Sequence, residues 1–162
     1  MKPTERVQAT LDTMNLGIHV VEFSASTATA PEAAAAAGCE LGAIAKSLLF
    51  VIDGQPVLVL VAGDRKVDYK RLAARFGVSK KKVRLADAET VLNVTGYEVG
   101  GVPPVGHNIK LPTLVDESLG RFDIVWAAAG AHNAVFPIAF SKLVEITGGH
   151  AQRAAFTEEQ RK

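Results

Sequence analysis

The stretch AKSLLFVIDGQPVLVLVAGD, Ala45 to Asp64, decides the fold. It holds two runs of β-branched and large apolar residues, separated by Asp53, Gly54 and Gln55. An Asp-Gly step between apolar runs is a hairpin signal, because both residue types tolerate the positive φ of a tight turn. Neither run alternates cleanly between apolar and polar residues, so both faces of the hairpin must be covered by other elements.

On the N-terminal side, Thr4 can cap a helix whose apolar residues Val7, Leu11 and Met14 fall at helical spacing, with Gly17 placed to stop it. IHVVEF, Ile18 to Phe23, reads as a strand. In TATAPEAAAAAG, Thr29 and Glu32 form a capping-box pair, Pro31 lies in the first turn and Gly38 ends the helix. On the C-terminal side, Asp68 can cap a helix that Gly77 ends, KVRLAD is a short strand, and a further helix runs from Asp87 to Gly96. LPTLVDESL holds a short strand, FDIVWAAAG a buried one, and AVFPIAF another, in which Pro137 indicates an edge or a bulge. Ser141 is placed to cap SKLVEITGG, closed by Gly148 and Gly149, and the polar HAQRAAFTEEQRK is expected to fray. Strands and helices mix without strict βαβ alternation. The class is therefore α/β of the mixed, α+β kind, with a helix-covered sheet that is not doubly wound.

A chain of 162 residues suits one domain, 1–162. Apolar residues at 48% against 22% charged match a globular protein. No run approaches the ~18 apolar residues of a membrane span, so no membrane partner is expected. The N-terminus MKPTERVQATLD lacks the apolar region of a secretory signal. Cys39 is the sole cysteine, which excludes an intrachain disulfide and points to a reducing cytoplasm. Net charge is +1, yet Lys66 to Arg84 carries +7 and leaves −6 for the rest. Clustered bases suit a polyanionic partner; a solvated helix face followed by a charged turn is the plainer alternative.

The run EVGGVPPVGHN, Glu98 to Asn108, concentrates three glycines and two prolines. It should form a stiff loop. Gly101 to Asn108 mimics the spacing of a phosphate-binding loop but lacks its Lys and Ser/Thr, and Pro103 and Pro104 remove two donors, which excludes a nucleoside triphosphate. The N–H groups of Gly101, Val102, Val105, Gly106 and His107 remain, and preorganised donors of this kind suit a developing oxyanion; a surface turn is the alternative. Lys46, flanked by apolar residues, must either snorkel out or sit in a cleft, where it could hold a phosphate or polarise a carbonyl. His19, His107, His132 and His150 show no metal-site spacing, so no metal and no cofactor are expected. Cys39 reads as a small buried side chain rather than a nucleophile, and Asp116 and Asp123 could each orient a lysine or a water, a cap or a surface charge being the commoner role. His132 and Asn133 leave a buried strand at Gly130, where functional loops often sit.

Taken in order, PEAAAAAG, IAKSLLFVIDGQPVLVLVAGDRKVD, KVRLAD, TGYEVGGVPPVGH, LPTLVDESL, AAAG and LVEITGG resemble the YbaK/ProX-type family, free-standing relatives of the editing domain of bacterial prolyl-tRNA synthetases. The resemblance runs from about the first helix to Gly149. It implies a mixed, barrel-like sheet surrounded by helices, and an activity that hydrolyses mischarged aminoacyl-tRNA in trans without metal or nucleotide. Lys46 corresponds to the family's lysine and Gly100 through Pro104 to its G-x-x-x-P loop. The catalytic set this implies is Lys46, Gly100 and Gly101, with Val102, Pro104, Val105, Gly106, His107, Gly130 and His132 around the substrate. The implied partners are the acceptor end of a mischarged tRNA carrying a small amino acid and, with it, an aminoacyl-tRNA synthetase. His107 and GAHNAVFP match one subgroup rather than the cysteine-clearing members. Two rival readings stay open: a non-catalytic tRNA- or synthetase-binding module of the same fold, and an enzyme acting on another small ester or amide.

Overall fold

The structure is a computed structural model that describes residues 1–148, 151–152 and 157–159. The hairpin forms as its sequence indicates. Ile44–Ile52 (β2) pairs antiparallel with Gln55–Ala62 (β3) from Ala45↔Ala62 to Ile52↔Gln55. Asp53 and Gly54 sit at φ 50° and 81°, both positive, as a primed two-residue turn requires. Its two faces feed two different apolar clusters. Leu49, Val51, Leu58 and Leu60 pack into one, Phe50, Ile52, Val57, Val59 and Val61 into the other, and this explains why the run carries so little polar alternation.

The remaining strands are Val21–Glu22 (β1), Arg65–Val67 (β4), Val83–Leu85 (β5), Thr113–Asp116 (β6), Ile124–Ala128 (β7), Ala134–Ala139 (β8), Ala151–Gln152 (β9) and Thr157–Glu159 (β10). The main sheet runs β1-β8-β7-β2-β3-β6-β9, with β5 also on β2, while β10 pairs with β4. β2–β7, β3–β6 and β6–β9 are parallel and the other pairs antiparallel, so the sheet is mixed and curls into a half-barrel, as the resemblance implied. Among the described residues five α-helices cover it: Pro3–Thr13 (α1), Ala30–Ala37 (α2), Tyr69–Phe76 (α3), Ala88–Thr95 (α4) and Phe140–Ile146 (α5).

Local signals account for most boundaries. Thr29 and Glu32 complete the capping box of α2, and Asp68 and Asp87 accept backbone N–H groups at the starts of α3 and α4. Two expected caps are corrected. α1 begins at Pro3, whose fixed φ suits a first helical position, so Thr4 lies inside the helix and is buried. α5 follows β8 directly, with Ala139 at its N-cap, which places Ser141 within the helix. The strand expected over Ile18 to Phe23 shrinks to two residues because the Gln8 side chain of α1 takes the Val20 N–H (2.8 Å) and donates to the Ile18 carbonyl (2.9 Å). Pro137 lies on β8 beyond the stretch that β1 covers, Ala134 and Val135, so it needs no partner on that side. The tail expected to fray contributes the short strands β9 and β10; Gly149 and His150 fall outside the described residues.

Candidate active site

Strand β2 is longer than either partner on its second edge. β7 pairs there with Ile44 and Ala45, and β5 with Phe50, Val51 and Ile52. The Leu49 carbonyl accepts the Ala86 N–H just past β5 (2.9 Å), and among the described residues no strand covers this edge from Lys46 to Leu48. A cavity of about 200 Å³ lies along the break. Its floor is Ile44 to Leu48 with Trp126 and Ala128 of β7; Thr27 to Ala30 and Ala33 form a second wall, and Val99, Gly100 and Val102 a third.

Lys46 lines this cavity, partly buried, opposite Val61 in the β2–β3 register. Its Nζ donates to the Arg65 carbonyl at 2.8 Å, which uses one of three donors. Burial pushes its pKa below the ordinary lysine value, and the nearby Asp64 carboxylate works against that fall. Asp64 is itself gripped by Arg121, with Nη1 and Nη2 at 3.0 and 2.7 Å from its two oxygens. This fork holds the Asp64 carboxyl below its ordinary value, chiefly through the hydrogen bond from Arg121. Sequence reading missed both residues, since nothing along the chain links positions 64 and 121.

The Gly/Pro loop reaches the cavity only through its first part. Gly101 points its N–H at the Glu98 carbonyl (2.9 Å), and its own carbonyl accepts the Gly130 N–H (2.8 Å). Among the described residues, the loop residues on the cavity lining whose N–H groups take no backbone partner are Val99, Gly100 and Val102. Pro104, Val105, Gly106 and His107 lie away from the lining and brace the loop from behind. His107 donates from Nε2 to the Pro103 carbonyl at 2.6 Å, and burial lowers its pKa. Tyr97 donates from its hydroxyl to the Gly106 carbonyl (3.3 Å), with the Arg6 guanidinium 4.7 Å above its ring. These contacts tie the loop at Gly101, Pro103 and Gly106.

Gly130 and His132 also sit behind the cavity. A Cβ on Gly130 would meet the Pro3 carbonyl oxygen at 2.8 Å, and one on Gly101 the Ala131 nitrogen at 3.0 Å, so these backbones approach as only glycine allows. His132 works as a clamp: its ring donates from Nε2 to the Val99 carbonyl (3.0 Å) beside Glu98, and its own carbonyl accepts the Thr27 N–H (2.6 Å). One residue thus ties the second wall to the third. Asp116 caps the short turn Glu117–Arg121 through the Ser118 N–H (3.0 Å), a structural role.

Over residues 24–146 the chain matches the aminoacyl-tRNA editing domain family. The chain belongs to this family. Among editing-domain relatives, YwhH of Bacillus subtilis, itself uncharacterised, is 39% identical over 129 residues, 79% of this chain and 80% of that one. EbsC of Enterococcus faecalis, named as a candidate Cys-tRNA(Pro)/Cys-tRNA(Cys) deacylase, is 29% identical over 122 residues, 75% and 73% of the two chains. A crystal structure of a candidate trans-editing enzyme for prolyl tRNA synthetase superposes with a TM-score of 0.88 at 42% identity, covering 98% of each chain.

Proposed function

We propose that this editing domain is a trans-acting hydrolase that removes a small amino acid from mischarged tRNA, such as a tRNA for proline, in the cytoplasm. The observation that supports the reading most is that Lys46, Gly100 and Val102, 54 positions apart at their nearest, line one cavity. An aminoacyl ester is already activated. Its hydrolysis needs a placed water, stabilisation of charge on the carbonyl oxygen and a grip on the terminal nucleoside.

In this reading the water oxygen bonds to the ester carbon and the carbon–oxygen bond to the ribose breaks. The ribose oxygen takes up a proton, and the amino acid leaves as its carboxylate. The N–H groups of Gly100 and Val102 supply donors for the oxyanion, and Gly101 holds their geometry through its bonds to Glu98 and Gly130. Lys46 retains two N–H donors for the carbonyl oxygen or a terminal phosphate. No Asp, Glu or His stands among the described lining residues, so the proton from water passes to the substrate's own hydroxyl or amine. All eight bases from Lys66 to Arg84 are exposed, on β4, α3, the Lys80–Lys82 turn and β5. β4 adjoins the cavity through the Lys46–Arg65 bond, so this surface suits the phosphates of the acceptor stem.

The test is deacylation of tRNA charged with Ala, Cys, Ser or Thr by the native protein and by Lys46→Ala. The reading expects cleavage that the substitution abolishes while tRNA binding persists. Tight binding without cleavage of any member would favour a binding module instead.

A further inference from the structure

Lys46 is held at the cavity by a carbonyl whose own position is set elsewhere. Its Nζ donates to Arg65, and Arg65 opens β4 directly after the turn at Gly63 and Asp64 that leaves β3. That turn is pinned on two sides. The Gly63 N–H bonds to the Ile44 carbonyl (2.8 Å), and a Cβ on Gly63 would run into the Leu41 carbonyl oxygen. On the other side both Asp64 carboxylate oxygens take the Arg121 guanidinium, whose Nε donates to the Ser118 carbonyl at 2.6 Å. Arg121 thereby ties the turn to the Asp116-capped segment Glu117–Arg121. Gly42 seats the pair from below: a Cβ there would meet Asp64 Oδ2 at 2.9 Å, and Arg121 Nη2 and the Phe122 ring at 3.0 Å. A lone exposed ion pair contributes little, but a two-armed arginine–carboxylate pair fixes geometry as well as charge.

Few charges surround the Lys46 ammonium. Apart from Lys46 itself, none of the described residues lining the cavity is charged, and its neighbour across the β2–β3 register is Val61. The charged groups at this end are Arg65, whose Nε lies 3.9 Å from Asp64 Oδ1, Asp64 and, through it, Arg121. Asp64 is the carboxylate that acts on the ammonium. We propose that Asp64 and Arg121 are positioning residues for Lys46: the arginine fixes the carboxylate as the counter-charge of the ammonium, and the pinned turn holds that ammonium at the cavity through the Arg65 carbonyl. The kinetic consequence rests on the deacylase reading; the effect on Lys46 itself is measurable without substrate.

Two readouts test this in the native protein, Asp64→Asn, Arg121→Lys and Gly42→Ala, with urea midpoints to confirm that each variant is folded. The first is trace acetylation across pH, read at the Lys46 peptide by mass spectrometry. Asp64→Asn removes the counter-charge, so the amine is freed at lower pH; below the native midpoint Lys46 should acetylate about tenfold faster. The second is the pH profile of deacylation. Its alkaline limb should move to lower pH in Asp64→Asn. Arg121→Lys keeps the charge but loses the two-armed contact, and Gly42→Ala displaces the pair without removing a charge. Both should lower kcat at least about tenfold with KM for tRNA retained. A Lys46 titration unmoved by Asp64→Asn overturns the proposal, as does full kcat in Arg121→Lys and Gly42→Ala. A shifted titration in a protein that cleaves no ester defeats the deacylase reading and leaves the assignment standing; native cleavage with an unshifted titration does the reverse.

Discussion

Gly130→Ala offers a sharp test of how the loop is held. Gly130 has φ +97°, and a Cβ there would lie 2.8 Å from the Pro3 carbonyl oxygen, 2.9 Å from the Pro3 carbonyl carbon and 3.2 Å from the Thr4 nitrogen. All three are backbone atoms at the start of α1, so no side-chain rotation relieves the contact. The backbone strain costs about 1–3 kcal/mol and the overpacking about 1–3 kcal/mol more. At roughly 2–4 °C per kcal/mol for a chain of this size, Tm should fall by at least about 4 °C. Gly54→Ala is the internal control: its φ is +81°, yet nothing lies within 4 Å of the added methyl, so only the strain remains. Both variants would be melted and titrated with urea beside the native protein. Gly130→Ala should be the less stable of the two, and its folded fraction should deacylate more slowly, because the Gly130 N–H positions the Gly101 carbonyl at 2.8 Å. Equal losses in the two variants would refute the claim that close backbone approach fixes this end of the loop.

Three further outcomes follow from the same geometry. Ala33, 4% exposed on the cavity wall, can become Leu without loss of helix propensity, and the added carbons should lower kcat/KM for a threonyl ester by about 10–200-fold, measured against the smallest substrate. His107 has its pKa lowered by burial, so the unfolded chain binds the proton more readily below the ordinary value of 6.5. Its contribution to stability is therefore complete above 6.5 and lost as pH falls through the lower folded value; urea midpoints across that window should show a slope that His107→Gln removes. Replacing Lys80, Lys81 and Lys82 together with Ala should weaken tRNA binding and flatten the slope of log affinity against log salt by about 2–3, read by filter binding.

The fold was largely legible because its signals are local. The Asp53-Gly54 turn, the Thr29/Glu32 box and the Asp68 and Asp87 caps act within a few residues, and each appears where the sequence puts it. The errors arose where a distant group takes over a local role. No strand signal in Ile18 to Phe23 could reveal that Gln8, on a helix, satisfies Ile18 and Val20 and shortens β1. Thr4 and Ser141 look like caps in isolation. Each lost that role to the element before it, a proline that starts α1 early and a strand that runs straight into α5.

The candidate site was less legible, for a topological reason. Its central feature is a gap on one edge of β2, created because β7 and β5 pair with opposite ends of the same strand and leave Lys46 to Leu48 between them. Such a gap depends on the register of strands about 35 and 80 positions along the chain from β2 and is invisible to any pattern in β2 itself. Lys46 stood out because a lysine interrupts an apolar run. Asp64 and Arg121 gave no comparable signal, since each is an ordinary charged residue in a turn, and only the two-armed contact between positions 57 apart singles them out. The loop shows the complementary case: its glycines and prolines announce stiffness, but the chain alone does not say which of its N–H groups are already spent. Gly101 has its N–H on the Glu98 carbonyl, and Gly106 and His107 lie away from the cavity lining, so the donors left beside the cavity are those of Val99, Gly100 and Val102. Chemistry at this site is thus set by what the surrounding fold leaves unpaired. A residue's type says what it can bond, and the competition for its bonds decides whether a substrate can use it.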